Sequence, residues 1–123
     1  MHRRYWIAAA LAWSACSPPP RSAEDLLPAR VDAVWERKSL HAMTPAQTAI
    51  PRAFEAAYEG PGKLTVDLYE AKVSGTAFEM SQHWKMTANT VVFDKGRYFV
   101  LLKWEQADRQ ALKAFVRALQ KHL

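Results

Sequence analysis

The sequence predicts a two-layer α+β domain, in which an antiparallel sheet of about four to five strands carries two helices on one face. Three observations lead to this fold class. Residues 63–71 alternate between apolar and polar side chains, and residues 90–104 form two β-rich runs joined by a turn. Residues 108–123 repeat apolar side chains at intervals of three and four, as in an amphipathic helix. The apolar stripe of that helix requires a sheet on which to dock.

The chain begins with a segment typical of a bacterial secretory leader. Residues 1–16 read MHRRYWIAAALAWSAC: a basic head with Arg3 and Arg4, an apolar run, two small residues and the single cysteine of the chain, Cys16. The apolar run is too short for a spanning helix, which needs about 20 apolar residues. We therefore expect residues 1–15 to be a cleaved signal peptide.

A spacer follows the leader. Residues 17–27 read SPPPRSAEDLL, and their three consecutive prolines favour an extended polyproline conformation. The predicted order is a tether over residues 16–27 and a single α+β domain over residues 28–123. Removing 15 of the 123 residues leaves 108, with a formal charge of +3 because the leader holds two of the 17 basic residues and none of the 12 acidic ones. This length fits one domain.

The first half of the domain contains less regular patterns. Residues 34–40 are predicted as the first strand. The motif Thr44-Pro45-Ala46-Gln47 has the form of a capping box and predicts a helix of at most two turns before Pro51. Residues 52–59 are ambiguous, because their alanines favour helix whereas their position before Gly60-Pro61-Gly62 favours the first arm of a hairpin. We assign them to a strand.

The next two elements have clearer signals. In residues 63–71, Leu64, Val66 and Leu68 should point to one face of a strand. Ser74 is expected to cap a helix that extends to about Met86. The side chains that helical spacing places on the face toward the sheet are Ala77, Met80, Ser81 and Trp84.

A hairpin and a helix complete the chain. Residues 94–97 join the two arms of the hairpin, and Gly96 can take the left-handed conformation that a type I turn with a bulge requires. Asp108 opens the last helix. Its apolar residues are Leu112, Phe115, Val116, Leu119 and Leu123. Burial of the first four would contribute roughly 6 to 12 kcal/mol, as much as the net stability of many domains.

The residues Trp13-Ser14-Ala15-Cys16 resemble the lipobox of bacterial lipoproteins, with Trp13 where that family usually has leucine. The resemblance implies that Cys16 is lipidated and anchors the protein to a membrane. Ser17 rather than aspartate follows the cysteine, which by resemblance to lipoprotein sorting favours the outer membrane, facing the periplasm. An alternative is cleavage by ordinary signal peptidase after Ala12 or Ala15, which would give a soluble periplasmic or secreted protein.

Three further motifs, Tyr58-Glu59-Gly60-Pro61, Ala77-Phe78-Glu79 and Arg97-Tyr98-Phe99-Val100, resemble uncharacterised bacterial exported proteins and lipoproteins of unknown function. The resemblance covers roughly the last 70 residues. It implies export and an α+β fold. It implies no catalytic or binding residues, because the shared motifs consist of aromatic and turn residues.

The sequence has none of the motifs of a nucleophile elbow, a phosphate loop, a dinucleotide-binding fold or a zinc protease. We therefore expect no enzyme, no cofactor and no metal site. The best catalytic candidates are Glu79 and His83, which lie one helical turn apart. Glu79 and His83 could also supply two ligands of a metal ion, but a metal site needs three or four, and His41 and His122 are distant in sequence. The alternative is that Glu79 and His83 form an exposed ion pair on the helix surface.

A surface-binding role is predicted for an interleaved set of aromatic and basic residues. The set consists of Trp84, Lys85, Arg97, Tyr98, Lys103 and Trp104. Such residues can stack rings and bind phosphate or carboxylate groups. In an exported protein we expect the partner to be an envelope protein, an anionic polymer or lipid headgroups, and not nucleic acid. The alternative is that strand alternation turns the cations outward and some rings into the core.

Three functions follow from these observations. The first is a non-catalytic, lipid-anchored envelope domain that contacts a protein or polymer. The second is a carrier of a small amphiphile, which requires a pocket of about 300 Å³ or more, lined by Trp and Phe, between the sheet and the helices. The third is an enzyme that uses Glu79 and His83.

Overall fold

A computed structural model describes residues 20–44 and 47–123. Its elements in chain order are α1 (Ala23–Leu26), β1 (Arg30–Val31), β2 (Trp35–Met43), β3 (Arg52–Glu59), β4 (Lys63–Glu70), α2 (Ser74–His83), β5 (Thr90–Lys95), β6 (Tyr98–Glu105) and α3 (Arg109–His122). The six strands form one antiparallel sheet in the order β1-β2-β3-β4-β6-β5. The predicted leader and Cys16 lie outside the described residues. Within those residues, none of the helices has the length and apolar character needed to span a membrane.

The sheet curls into a half-barrel against α3. At the centre of the contact, the ring of Phe115 meets Trp35 of β2 and Tyr58 of β3 edge-on, with centroids 5.5 and 5.1 Å apart. The polar atoms of both partners are satisfied, because the Trp35 indole donates to the Ala111 carbonyl at 3.3 Å and the Tyr58 hydroxyl donates to the Pro28 carbonyl at 2.7 Å. A flat sheet of six strands would be about 24 Å wide, twice the diameter of a helix. Because the sheet curls, a single helix can pack against most of its strands.

The two longer helices lie on opposite faces of the sheet, so the prediction of two helices on one face is wrong. The inner face, which packs against α1 and α3, includes Val100 and Leu102 of β6. The outer face carries a second core in which Phe99 and Leu101 of the same strand pack with Ala77 of α2. Since β6 is apolar on both faces, each face needs its own cover. The sheet also has six strands and the described chain three helices, against the predicted four to five and two.

The irregular pattern at the start of the domain has a structural cause. The register between β2 and β3 shifts between Arg37 and Ser39, which is a β-bulge. Because of the extra residue, Trp35 before the bulge and Leu40 after it both reach the inner core. A strict alternation would have placed them on opposite faces.

The folded domain begins earlier than predicted. The Ser22 hydroxyl caps α1, and Leu26 and Leu27 are completely buried. The Arg21 guanidinium donates to the carbonyls of His122 at 3.0 Å and Leu123 at 3.3 Å. The last part of the predicted tether therefore belongs to the domain, because two adjacent leucines can be buried against the inner core.

The remaining predicted elements agree with the structure except at their ends. The strand assignment of Arg52–Glu59 is confirmed. Helix α2 ends at His83 instead of about Met86 and starts without a side-chain cap. Residues 47–49 form a turn rather than helix, and residues 45–46 of the predicted capping box lie outside the described residues.

The hairpin and the last helix also match their predictions closely. In the β5–β6 turn, Gly96 has a φ of +57° and is the first of two central residues, which is the glycine position of a type II′ turn rather than of a type I turn with a bulge. In α3, the Asp108 carboxylate accepts a hydrogen bond from the Ala111 amide at 2.9 Å. Leu112, Phe115 and Leu119 are buried as predicted.

Candidate functional site

The six residues predicted to form a binding surface are divided between the two faces of the sheet. Trp84 lies on the outer face, where its ring is 5.6 Å from that of Phe99. Tyr98 and Trp104 are half-buried and pack against the inner core. Lys103, which precedes Trp104, is exposed on the outer face. Alternation along β6 separates neighbouring residues in this way.

The other two residues of the set are exposed in the segments that join secondary-structure elements. Lys85 follows α2, and Arg97 lies in the β5–β6 turn. The structure therefore does not bring the six residues together as one surface. Of the six, Trp104 is the one that lines a substantial apolar groove, described below.

The predicted catalytic pair lies on the exposed side of α2. The Nδ1 atom of His83 is 3.0 Å from the backbone carbonyl of Glu79, to which it donates as the protonated ring nitrogen. The contact thus involves the main chain of Glu79 and not its carboxylate. Both residues are exposed on the helix surface.

The clearest cluster of titratable groups lies on the outer face and crosses four neighbouring strands. His41 Nε2 is 3.0 Å from Glu55 Oε1, Glu55 is the register partner of Asp67, and Lys103 Nζ is 3.6 Å from Asp67 Oδ2. The Asp67 side chain is only 7% exposed, and its Oδ1 atom has no hydrogen-bond partner. Burial, followed by the adjacent Glu55 carboxylate, raises the pKa of Asp67 to about 6.

This carboxyl pair can share a proton, since two adjacent carboxylates are both ionised only at a cost. A proton on Asp67 would also satisfy its free oxygen by donation to Glu55. Across residues 20–44 and 47–123, no three or more His, Cys, Asp or Glu side chains are arranged to hold a metal ion. We interpret Asp67 as the buried titratable group of this cluster, through which pH affects stability.

The groove with the best shape for a ligand lies on the inner face, between α3 and the β5 edge of the half-barrel. Helix α3 packs on the side of the half-barrel where Phe115 contacts Trp35 of β2 and Tyr58 of β3. On its other side, a groove of about 430 Å³ lies between the helix and strands β5 and β6. Ligand pockets in proteins are typically 300 to 1,000 Å³, so the groove is large enough for a small molecule.

The groove has an apolar floor and a basic rim. The residues of the floor are Val91, Trp104, Leu112 and Val116. The rim consists of Arg109, Lys113 and Arg117, which follow one another at intervals of four along α3 and so lie on one side of the helix. The lining contains no acidic residue. An apolar chain would be buried on the floor while an anionic group is neutralised at the rim.

A larger depression of about 730 Å³ lies at the end of the sheet near the Gly60-Pro61-Gly62 turn. Its charged residues are three cations, Arg30, Lys38 and Lys63, and three anions, Glu36, Glu59 and Glu105. Lys38 and Glu36 already form an ion pair at 2.8 Å. Because the charges are balanced, this depression favours no ligand charge.

Sequence reasoning identified Trp104 but missed the rest of the groove. Arg109, Lys113 and Arg117 stand next to the apolar stripe of α3, and this spacing was visible in the sequence. The sequence did not show that α3 is offset toward β1, which is what opens the space. The Glu55–Asp67 pair was also missed, although counting back from the Gly60-Pro61-Gly62 turn gives that register.

The raised pKa of Asp67 predicts a specific pH dependence of stability. Because the folded protein binds this proton more tightly than the unfolded chain, with a pKa of about 6 against the ordinary 3.8, the associated stabilisation is complete below about pH 4 and is lost as pH rises through 6. The difference corresponds to roughly 3 kcal/mol. Asp67→Asn should therefore raise the free energy of unfolding at pH 7.5 by about 1 to 3 kcal/mol and flatten its fall between pH 4.5 and 7.5, measured by urea denaturation.

The control is Asp32→Asn, which changes an exposed carboxylate in the β1–β2 turn by the same chemistry. It should preserve the fall in stability with rising pH. An Asp67→Asn protein whose stability falls as steeply as that of the parent would contradict the assignment.

Comparison with known proteins gives no match: no family model, no curated protein and no solved structure is similar to this chain. The function of the groove therefore has to be inferred from its own shape and charge.

Proposed function

We propose that this protein is a membrane-tethered, non-catalytic domain that binds a small amphiphile in the groove between α3 and β5. The observation that carries the proposal is the combination of an apolar floor with a rim of three cations, Arg109, Lys113 and Arg117, in a space of about 430 Å³. A chain of methylene groups gains about 0.8 kcal/mol for each group that it buries. An apolar groove therefore provides affinity, and its basic rim provides orientation.

The groove also has most of the features that we expect of an amphiphile carrier. It lies between a sheet and a helix, exceeds 300 Å³ and includes a tryptophan, although no phenylalanine lines it. Phe93 and Phe115 are instead packed in the inner core. The floor is therefore formed by Trp104 and three aliphatic side chains.

The proposed location comes from the sequence. The leader and the lipobox-like tetrad ending at Cys16 support export and lipidation, with the outer membrane, facing the periplasm, favoured by Ser17. A chain anchored in this way would work beside a source of amphiphiles, the bilayer itself. Lipoproteins carry more than one acyl chain, and stable anchoring requires more than one.

A second candidate function is contact with an envelope protein. It is favoured by four large apolar side chains that lie exposed on α2 and its flanks: Val73, Phe78, Trp84 and Met86. Phe78 is 53% exposed and Met86 66%. Exposed apolar side chains in one segment are typical of interaction sites, but nothing in this segment selects a particular partner, so we place it second.

Binding can be tested on the exported Cys16→Ser chain with the fluorescent apolar probe N-phenyl-1-naphthylamine. Val116→Asp places a carboxylate on the groove floor, where an apolar ligand would have to desolvate it. We expect the affinity for the probe to fall at least tenfold, equivalent to about 1.4 kcal/mol. Fluorescence titration gives the dissociation constants.

The matched control is Val34→Asp, the same substitution at an exposed valine outside the groove. It should bind the probe like the parent. Equal affinities of the Val116→Asp and parent chains, or an absence of probe binding by the parent, would exclude the groove as an amphiphile site.

Lipidation can be tested by intact-mass measurement of the mature N-terminus. We expect the mature chain to begin at Cys16 and to carry acyl groups, and globomycin, which blocks lipoprotein signal peptidase, should cause the uncleaved form to accumulate. Cys16→Ser should remove the added mass. An unmodified thiol at Cys16, or a chain that keeps residues 1–15 without the inhibitor, would contradict the proposed anchor.

A further inference from the structure

A second depression lies beside the groove, toward the C-terminal end of α3. This depression has a volume of about 340 Å³ and shares Arg117 with the groove. Its other residues are Asp94, Lys95, Gln120 and Lys121. Three cations thus converge where the apolar floor ends.

The one carboxylate of this depression is already engaged. Asp94 Oδ1 accepts a hydrogen bond from the Ser81 hydroxyl of α2 at 2.7 Å. In β5, Asp94 pairs with Phe99 of the outer core, whereas Lys95 pairs with Tyr98 of the inner core. The Lys95 ammonium donates to the Gln120 carbonyl, which fixes it beside the last turn of α3. With three cations and one carboxylate, the depression keeps a net positive charge.

The opposite end of the groove is a poorer site for an anion. Arg109 directly follows Asp108, whose carboxylate already caps the first turn of α3. The helix N-terminus would otherwise attract a negative charge. At the other end, the helix C-terminus carries the equivalent of only about half a negative charge, which is small beside three cations.

We propose that the groove binds a single-chain amphiphile whose anionic head, a phosphate or a carboxylate, lies among Lys95, Arg117 and Lys121, with the chain extending over the floor toward Arg109. This inference rests on the proposed function and adds the charge class and orientation of the ligand. At about 30 Å³ for each water-sized group, the groove of about 430 Å³ holds roughly 14 such groups, enough for one chain of about twelve carbons.

The position of the tether is consistent with this orientation. Arg21 is bonded to the last two carbonyls of the chain, so the tether leaves the domain beside the C-terminal end of α3. Arg21 is five positions after Cys16, and an extended chain over five such steps spans at most about 17 Å. With a lipidated Cys16, the basic end of the groove would lie close to the membrane, so that an anionic head could enter or leave from the bilayer surface.

The charge of the preferred ligand is tested by competition with the probe. The exported Cys16→Ser chain is titrated with dodecyl phosphate, dodecanoate and dodecyltrimethylammonium, each below its critical micelle concentration. We expect both anions to displace N-phenyl-1-naphthylamine at concentrations at least tenfold lower than the cation. Equal displacement by all three would overturn the inference while leaving amphiphile binding intact. Displacement by none would contradict the proposed function itself. A preference for phosphate over dodecanoate, or the reverse, would distinguish a lipid phosphate from a free fatty acid.

Orientation is tested by charge reversal and by quenching. Arg117→Glu should weaken dodecyl phosphate binding at least tenfold, Arg109→Glu by less than threefold, and Lys72→Glu, outside the groove, not at all. Bromine quenches the fluorescence of nearby indoles, so dodecanoate brominated at carbon 11 should quench Trp104 fluorescence more strongly than dodecanoate brominated at carbon 2. The Trp104→Phe variant gives the quenching of the other tryptophans, which is subtracted. A larger effect of Arg109→Glu, or stronger quenching by bromine at carbon 2, would overturn the orientation.

Discussion

The packing of α3 into the curled sheet is the constraint on which the rest of the structure depends. Phe115 joins β2 and β3 to the helix through two edge-on aromatic contacts, each worth about 0.5 to 1.5 kcal/mol beyond the burial of area. These contacts hold the helix near the β1 side of the half-barrel, where Trp35 and Tyr58 also bond the backbones of Ala111 and Pro28. A helix fixed on that side leaves the β5 side open. The groove is thus a consequence of how the core is packed.

Three parts of the chain meet at the C-terminal end of α3. Arg21 bonds the last two carbonyls, Lys95 bonds the Gln120 carbonyl, and Lys121 and Arg117 lie on the adjoining helix surface. Cations at a helix C-terminus are stabilised by the helix dipole, so this arrangement also favours folding. The same charges have a second effect in our proposal, because they face the open end of an apolar groove. Asp67 on the outer face is different in kind, because it is a buried carboxyl group whose raised pKa is expected to make stability depend on pH.

The sequence was sufficient to predict the elements whose side chains repeat regularly. Such elements are recognised from residues close together in the sequence. The structure contains three of them: the apolar stripe of α3, the apolar–polar alternation of β4 and the glycine of the β5–β6 turn. Features that depend on distant residues were not predictable in this way. The bulge between Arg37 and Ser39 changes which residues of β2 face inward. Leu26 and Leu27 follow a proline-rich segment in the sequence, and only the inner core that covers them makes them part of the domain. The groove depends on the lateral position of α3, which no local pattern encodes.

Intermolecular NOEs measure directly whether an apolar chain lies between α3 and β5. In the exported Cys16→Ser chain bound to dodecyl phosphate, chain protons should show NOEs to the methyl groups of Val91 on the strand and Val116 on the helix. Both contacts are required, because the groove has one wall from each element. NOEs to Phe78 and Met86 on the other face instead, or to neither pair, would contradict the account.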